Sequence, residues 1–239
     1  ICEVEFDSTF CASPYRMNEE TNDQPSSPVP LSVGARRVLG VLVEKAKTVP
    51  DSYPMTLAAI VTACNQKSNR TPKMDMDEDD ALLALDELRE LGAAREIQGT
   101  GRAVKYRHAA YDWLDVDGPQ AAVMTELLLR GPQTSGEIRS RASRMHSFDD
   151  LKSAQATIDD LVAKGLVDAV TPPGRGQTFA HTLYKPEERQ HLAAKVEKQS
   201  AVSPPKSKQI AAADQLVDRL AKVNERIDEL ERRIAELED

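Results

Sequence analysis

The chain has few aromatic residues and few cysteines. Phe, Trp and Tyr together make up 4% of its 239 residues, while Asp, Glu, Lys and Arg make up 29%. This composition is typical of small helical domains with aliphatic cores. Cys2 and Cys11 lie in a polar N-terminal stretch, and Cys64 lies alone in an apolar segment, where we expect a small buried side chain.

Long apolar runs are also absent. No segment approaches the roughly 18 apolar residues that a membrane span needs, and no basic region leads into an apolar stretch and a cleavage site. We therefore expect a cytoplasmic protein without membrane contacts. The sequence begins at Ile1, and Met17 opens a polar, Pro-rich stretch. We expect Met17 to be the physiological start and residues 1–30 to form a disordered extension.

Residue patterns that would indicate catalysis are missing as well. The four histidines are scattered, and none has a metal-ligand spacing to a cysteine. The sequence holds neither a phosphate-binding Gly loop with its Lys nor a nucleophile elbow. We expect no metal, no cofactor and no enzymatic activity.

The chain does contain an internal repeat with a constant offset of 73 residues. The segment 97–111 matches 170–184, so that Arg102 aligns with Arg175 and His108 with His181. The register extends upstream, where Leu88 aligns with Leu161. Two copies of one structural unit are the simplest explanation of this pattern.

Each copy is predicted to contain three helices followed by a β-hairpin. Capping residues, Gly stops and apolar spacing place the helices and strands. Ser32, Thr56 and Asp77 precede the helices of the first copy, with strands at 94–98 and 103–109. Asp117, Thr134 and Asp149 play this role in the second, with strands near 166–170 and 178–184. We expect Leu82, Leu151 and Val162 to face the core.

Three helices closed by a hairpin form a winged helix. The predicted fold class is therefore mainly α with small β-hairpins (α+β), with winged-helix domains at 31–112 and 113–185. The polar residues 186–208 are predicted to be a linker.

The last segment, 209–239, has the spacing of a coiled coil. Apolar residues follow one another at intervals of four and three, and mostly Ile at a with mostly Leu at d favours a parallel dimer. An amphipathic helix packed on the domains is the alternative. The predicted seam is Leu216, Leu220, Val223, Ile227, Leu230, Ile234 and Leu237.

Four segments give the chain a resemblance to a known family. The residues Tyr53–Leu57, Ala63–Arg70, Leu129–Thr134 and Phe148–Asp150 resemble those of the bacterial YceH family, and the likeness extends over about residues 31–185. The resemblance implies two winged-helix domains in tandem. It implies no enzymatic activity, because the function of that family is uncharacterised.

Winged helices most often bind double-stranded DNA, with the third helix in the major groove and the wing on the backbone. Arg102 and Arg175 occupy matching wing tips, where a guanidinium could reach a phosphate, although a solvated turn explains them equally well. The loops before the third helices supply the other candidates. The predicted nucleic-acid-binding residues are Lys67, Asn69, Arg70, Arg102, Arg141, Arg144 and Arg175.

Charge balance favours a second hypothesis. The first unit has 12 basic and 12 acidic residues, the second has 8 and 9, and both third helices carry acidic pairs. DNA-binding domains normally show a basic footprint. We expect a weakly sequence-specific DNA-binding or transcription-regulatory protein. The alternative is an adaptor that uses its winged helices to bind a partner protein rather than nucleic acid. By strand parity, His108 and His181 are expected to face the core rather than a ligand.

Overall fold

The fold is α+β, with two copies of the same arrangement of helices and strands. The structure is a computed structural model and describes residues 29–98, 103–174 and 176–192. The N-terminal stretch 1–28, Arg102 and Arg175, which are predicted to lie at wing tips, and segment 209–239, which is predicted to form a coiled coil, lie outside the described residues.

The first copy begins with α1 (Val33–Thr48), followed by a 3-10 turn (Pro50–Ser52), β1 (Met55–Thr56), α2 (Leu57–Cys64) and α3 (Glu78–Glu90). The hairpin strands β2 (Ala94–Gln98) and β3 (Val104–His108) close it. The predicted caps Ser32 and Thr56 are confirmed, and Asp77, which was predicted to start the third helix, caps it. Each of the three accepts a hydrogen bond from the first turn of its helix.

The second copy repeats this order. A short helix α4 (Ala110–Leu114), which was not predicted, connects the copies. It is followed by α5 (Gly118–Arg130), β4 (Gln133–Thr134), α6 (Ser135–Ala142), α7 (Leu151–Ala163), β5 (Val167–Ala169) and β6 (Thr178–His181). The antiparallel sheets have equivalent strand orders, β1-β3-β2 and β4-β6-β5. Leu88 and Leu161 are both fully buried, as the repeat predicts.

Two central helices form the middle of a core that both copies share. Residues 35–44 of α1 and 120–129 of α5 are buried on every face, which is the pattern of a helix enclosed by its neighbours. The two helices pack closely where Gly40 meets Leu129, since a Cβ atom on Gly40 would lie 2.9 Å from Leu129 Cδ2. The two copies therefore pack against each other as one body, rather than forming separate domains joined by a flexible linker.

Three inward-facing predictions were wrong. Leu82, Leu151 and Val162 are 38%, 49% and 41% exposed. The buried stripe of α3 runs through Ala81, Ala84, Leu85 and Leu88, and that of α7 through Ala154, Ile158 and Leu161. Each of the three exposed residues lies outside the buried stripe of its helix. These small units bury only one face of each of the two helices against the core.

The first residues of the predicted linker, 186–208, contact the first copy. Pro186–Gln190 form a short helix, α8, in which Glu188 accepts two hydrogen bonds from Arg36 of α1 at 2.6 and 2.8 Å. Arg36 also stacks over the ring of Tyr184. This ion pair anchors the start of the tail to the first helix.

Candidate functional site

The loops that precede the two third helices lie together at the boundary between the copies. The amide of Thr71 donates a hydrogen bond to the carbonyl of Leu129 at 2.9 Å, and Arg130 donates to the side chain of Asn69. Arg70 of the first loop and Arg144 of the second both pair with Glu44. The structure thus brings together Asn69 and Arg70 of one predicted domain and Arg144 of the other.

Arg70 is not available to a nucleic acid, which corrects its prediction as a contact residue. Its guanidinium is buried and forms a two-pronged ion pair with the buried carboxylate of Glu44 on α1. Its Nε donates to the carbonyl of Ala63 at 3.0 Å. A phosphate contact would have to break this buried pair and leave Glu44 with Arg144 as its remaining cationic partner.

Arg144 is also occupied by protein carboxylates. It bridges Glu44 of α1 at 2.5 Å and Glu126 of α5 at 2.7 Å, with its side chain 30% exposed. Burial by itself lowers the pKa of Arg144, but the hydrogen bond to Glu126 and the charge of Glu44 raise it above its ordinary value. Arg144 therefore links the two copies through its ion pairs with Glu44 and Glu126.

Among the remaining predicted residues, Arg141 forms contacts within its own copy, whereas Lys67 and Asn69 are exposed. Arg141 donates to Gln133 at 2.6 Å and pairs with Glu137 at 3.2 Å, which holds it along its own helix. Lys67 and Asn69 are exposed, and Asn69 adopts the left-handed backbone region with φ 62°. Among the predicted cations within the described residues, Lys67 is exposed and forms no ion pair, whereas Arg70, Arg141 and Arg144 are paired.

The hairpin of the first copy presents cations that were not among the predicted site residues. Arg95 and Arg107 are directly opposite each other on β2 and β3, and Lys105 lies two residues before Arg107 on the same face. All three are exposed. Like charges directly opposite on a sheet are unfavourable without an anion between them. The alternation Lys105-Tyr106-Arg107 is the sequence signal that could have identified this face.

The solvent faces of the third helices are acidic and apolar. On α3, Leu83 is 71% exposed beside Leu82, and Glu78, Asp79 and Asp80 are exposed at the N-terminus. On α7, Leu151 and Val162 are exposed together with Asp159 and Asp160. These are the faces that a winged helix would insert into the major groove, and their carboxylates would repel phosphates.

Of the two repeat-related histidines, His181 is buried and His108 is partly buried. His181 is buried and stacks on Tyr184 with ring centroids 3.9 Å apart. Burial, with a smaller contribution from Arg36, lowers the pKa of His181 well below its usual value. Burial also lowers the pKa of His108 to about 4, and its Nδ1 accepts a hydrogen bond from the amide of Ala110.

Across residues 29–98, 103–174 and 176–192, no three His, Cys, Asp or Glu side chains converge as a metal site. No helix in these ranges combines the length and apolar character of a membrane span.

The sequence matches the family described as "Protein of unknown function, DUF480" over residues 31–175. The chain belongs to this family. The predicted resemblance to the YceH family is thereby confirmed, because the chain also matches a series of relatives that carry the name UPF0502 protein.

Three relatives within the family show how far the similarity extends. A UPF0502 protein of Rhodopirellula baltica is 66% identical over 78% of this chain and 80% of its own length. A UPF0502 protein of Solibacter usitatus is 40% identical over 84% of this chain and 93% of its own length. The likeness to a UPF0502 protein of Geotalea daltonii, 48% identical, covers 54% of this chain and 59% of the relative.

Proposed function

We propose that each copy is a winged helix and that the chain is a non-enzymatic, tandem winged-helix adaptor that binds a partner protein. Three helices closed by a hairpin, with a two-residue strand added at the edge, support the winged-helix assignment. Fold alone does not assign function, so the adaptor role depends on the surfaces that the fold presents.

The observation that carries the adaptor role is the exposed face of α3. A leucine that is 71% exposed within an acidic helix has no role in the domain's own core. An apolar centre with a charged rim is the usual anatomy of a protein interface. The acidic rim selects the partner, which we propose presents apolar side chains flanked by Lys and Arg.

A two-stage experiment tests this role. Proteins that copurify with the full-length chain after nuclease treatment are identified, and the purified partner is titrated against wild type and Leu83→Lys. Because the variant places a charge at the centre of the interface, affinity should fall at least tenfold, as for a central interface residue. The control is Val33→Lys, at an exposed apolar position on α1. Equal binding by all three proteins would refute the α3 interface.

A second candidate function is weak, sequence-independent binding to double-stranded DNA through the hairpins. The opposed pair Arg95 and Arg107 on the first hairpin favours it, and the wing arginines Arg102 and Arg175 would extend the contact. Lys67 and Asn69 are the loop residues that could reach a backbone. Because the third helices are acidic, contacts would be to phosphates and sequence preference would be low.

A salt titration on random duplex DNA separates the two functions. Binding through phosphates weakens with salt at a slope near −0.9 per contact. The variant Arg95→Ala/Arg107→Ala and the variant Arg102→Ala/Arg175→Ala should each flatten the slope by about two contacts. Absence of binding at low salt would eliminate the DNA function and leave the adaptor function standing.

We further propose that residues 209–239 form a parallel coiled-coil dimer. The 4-3 spacing of its apolar residues supports this assignment, and Arg226 and Arg233 at g face Glu231 and Glu238 at e of a partner chain. Such a dimer would present four winged helices to a partner.

A further inference from the structure

A cavity of about 240 Å³ lies between the two copies. Its walls come from α1, from the loop at Thr71 and Pro72, from the end of α5, and from the segment between His181 and Leu192. The volume is roughly that of eight water molecules in the liquid. It is smaller than the sites that hold drug-sized ligands, so a small metabolite is the largest guest it could take.

Arg37 is the residue of the cavity lining whose positive charge lacks an acidic partner among the described residues. The residue is 2% exposed, and its guanidinium donates only to backbone carbonyls, those of Cys64 at 3.1 Å and Pro72 at 2.6 Å. Its Nε has no partner among the described residues. Within the same residues no carboxylate lies within ion-pair distance of it, whereas Arg36 is paired with Glu188 and Arg130 with Glu126.

A neighbouring thiolate does not supply the missing negative charge. Cys64 is the nearest ionisable candidate, but burial raises the pKa of its thiol to about 12, so the thiol stays protonated at neutral pH. An isolated buried guanidinium is costly unless an anion compensates it. An anion bound in the cavity beside Arg37 could supply this compensation.

The other residues that line the cavity indicate the chemical nature of the rest of the ligand. Leu127, Leu128 and Pro132 form an apolar wall, and the stacked pair His181 and Tyr184 forms another. His181 Nδ1 is buried and has no partner within the described residues. One uncompensated cation beside apolar walls matches a ligand with one carboxylate and an apolar body.

We propose that this cavity is a binding site for a small organic monocarboxylate, with Arg37 as the residue that pairs with the carboxylate. Because the site is built from both copies, its occupant contacts the first helix of one copy and the hairpin end of the other. The ligand thus adds to the contacts that hold the two copies together. This inference is independent of whether the chain binds protein or DNA.

Calorimetric and thermal titrations of the full-length protein with sodium benzoate and sodium hexanoate test the proposal, with benzamide as the uncharged counterpart of benzoate. At least one carboxylate should bind saturably and raise the melting temperature by roughly 5 to 10 °C at a hundred times its Kd. Benzamide should bind at least tenfold more weakly. Absence of saturable binding by both carboxylates, or equal binding of benzamide and benzoate, would overturn the proposal.

The variant Arg37→Met tests the assigned partner. It should weaken carboxylate binding roughly 10- to 100-fold, the effect of losing a hydrogen bond to a charged group. Arg89→Met removes an exposed arginine of the same copy and should leave affinity unchanged. If Arg37→Met does not fold, Arg37→Lys replaces it as the test variant, and it should bind severalfold more weakly because it loses the planar fork. Wild-type affinity in the folded variant would exclude Arg37 from the site.

Discussion

Arg144 of the second copy reaches across to Glu44 of the first, with 2.5 Å between Nη1 and Oε1. Glu44 is also the partner of Arg70, so one buried carboxylate holds arginines from both copies. Glu126 repeats this role on α5, where it accepts from Arg144 and pairs with Arg130 at 3.0 Å. The boundary between the copies therefore contains a compact cluster of alternating charges that both copies complete.

The Arg70–Glu44 pair should dominate the stability of this cluster. Arg70→Met leaves Glu44 with only the half-exposed Arg144, and we expect a loss of about 3–5 kcal/mol in the free energy of unfolding. Arg89→Met removes surface ion pairs with Asp86 and Glu96 and should cost less than about 1 kcal/mol. Urea denaturation followed by circular dichroism gives both values. A double variant, Arg70→Met/Glu44→Leu, should be more stable than Arg70→Met alone, and the reverse order would contradict this account.

The close crossing of α1 and α5 predicts opposite effects at two glycines of α1. At Gly40, a new Cβ would meet Leu129 Cγ at 3.0 Å and Leu128 Cβ at 3.3 Å, so Gly40→Ala should destabilise by about 1–3 kcal/mol. At Gly34 the nearest atom to a new Cβ is Ala84 Cβ at 3.4 Å, an ordinary contact. Gly34→Ala should be neutral or slightly stabilising, because alanine is the better helix former. Thermal denaturation of the two variants measures these effects. If the crossing were loose, Gly40→Ala and Gly34→Ala would change the melting temperature equally.

The buried histidines predict a loss of stability in mild acid. The pKa of His108 is lowered to about 4 and that of His181 falls well below 6.5, while both titrate near 6.5 when the chain unfolds. Below pH 6.5 the unfolded chain binds more protons, so stability falls as the pH drops from 7 to 5, by about 2 kcal/mol for His108, and His181 adds to the loss. Urea denaturation at the two pH values measures the loss. His108→Gln and His181→Gln should each reduce it, and an unchanged pH dependence in both would show that other groups cause it.

The proposed coiled coil predicts a dimer that depends on residues 209–239. Deletion of this segment should produce a monomer in sedimentation velocity, and Ile227→Asp should weaken the dimer by placing a charge in the seam. Arg232→Asp, at the outer position f, is the matched control and should remain dimeric. Dissociation at low micromolar concentration is compatible with only three to four heptads. A full-length chain that stays monomeric at high concentration would refute the assignment.

Local signals in the sequence predicted most of the helices and strands. Ser32, Thr56, Asp77, Asp117 and Thr134 cap the helices where a short polar side chain precedes an apolar stripe, and capping requires only a few neighbouring residues. The hairpin strands followed from the same local pattern. Because the repeat aligned two copies, an assignment in one supported the assignment in the other.

Long-range contacts were not predictable from local patterns. Arg70 appeared to be one of several loop cations, and its burial depends on Glu44, which lies 26 residues earlier on α1. Arg36 and Glu188 pair across 152 residues. Periodicity identifies which side of a helix is apolar, but not which buried carboxylate will select a distant arginine. The candidate site was therefore predicted less well than the fold.

The packing of α1 against α5 also limits how many copies the chain can hold. In solenoid proteins each repeat offers a fresh face to the next, and arrays grow by addition. Here the first helix of each copy is enclosed by the other copy, and Gly40 lies at their crossing. Within the described residues, a third copy would therefore find neither α1 nor α5 open for the same packing. The two copies complete each other at this crossing, and a further copy would have to attach through another face.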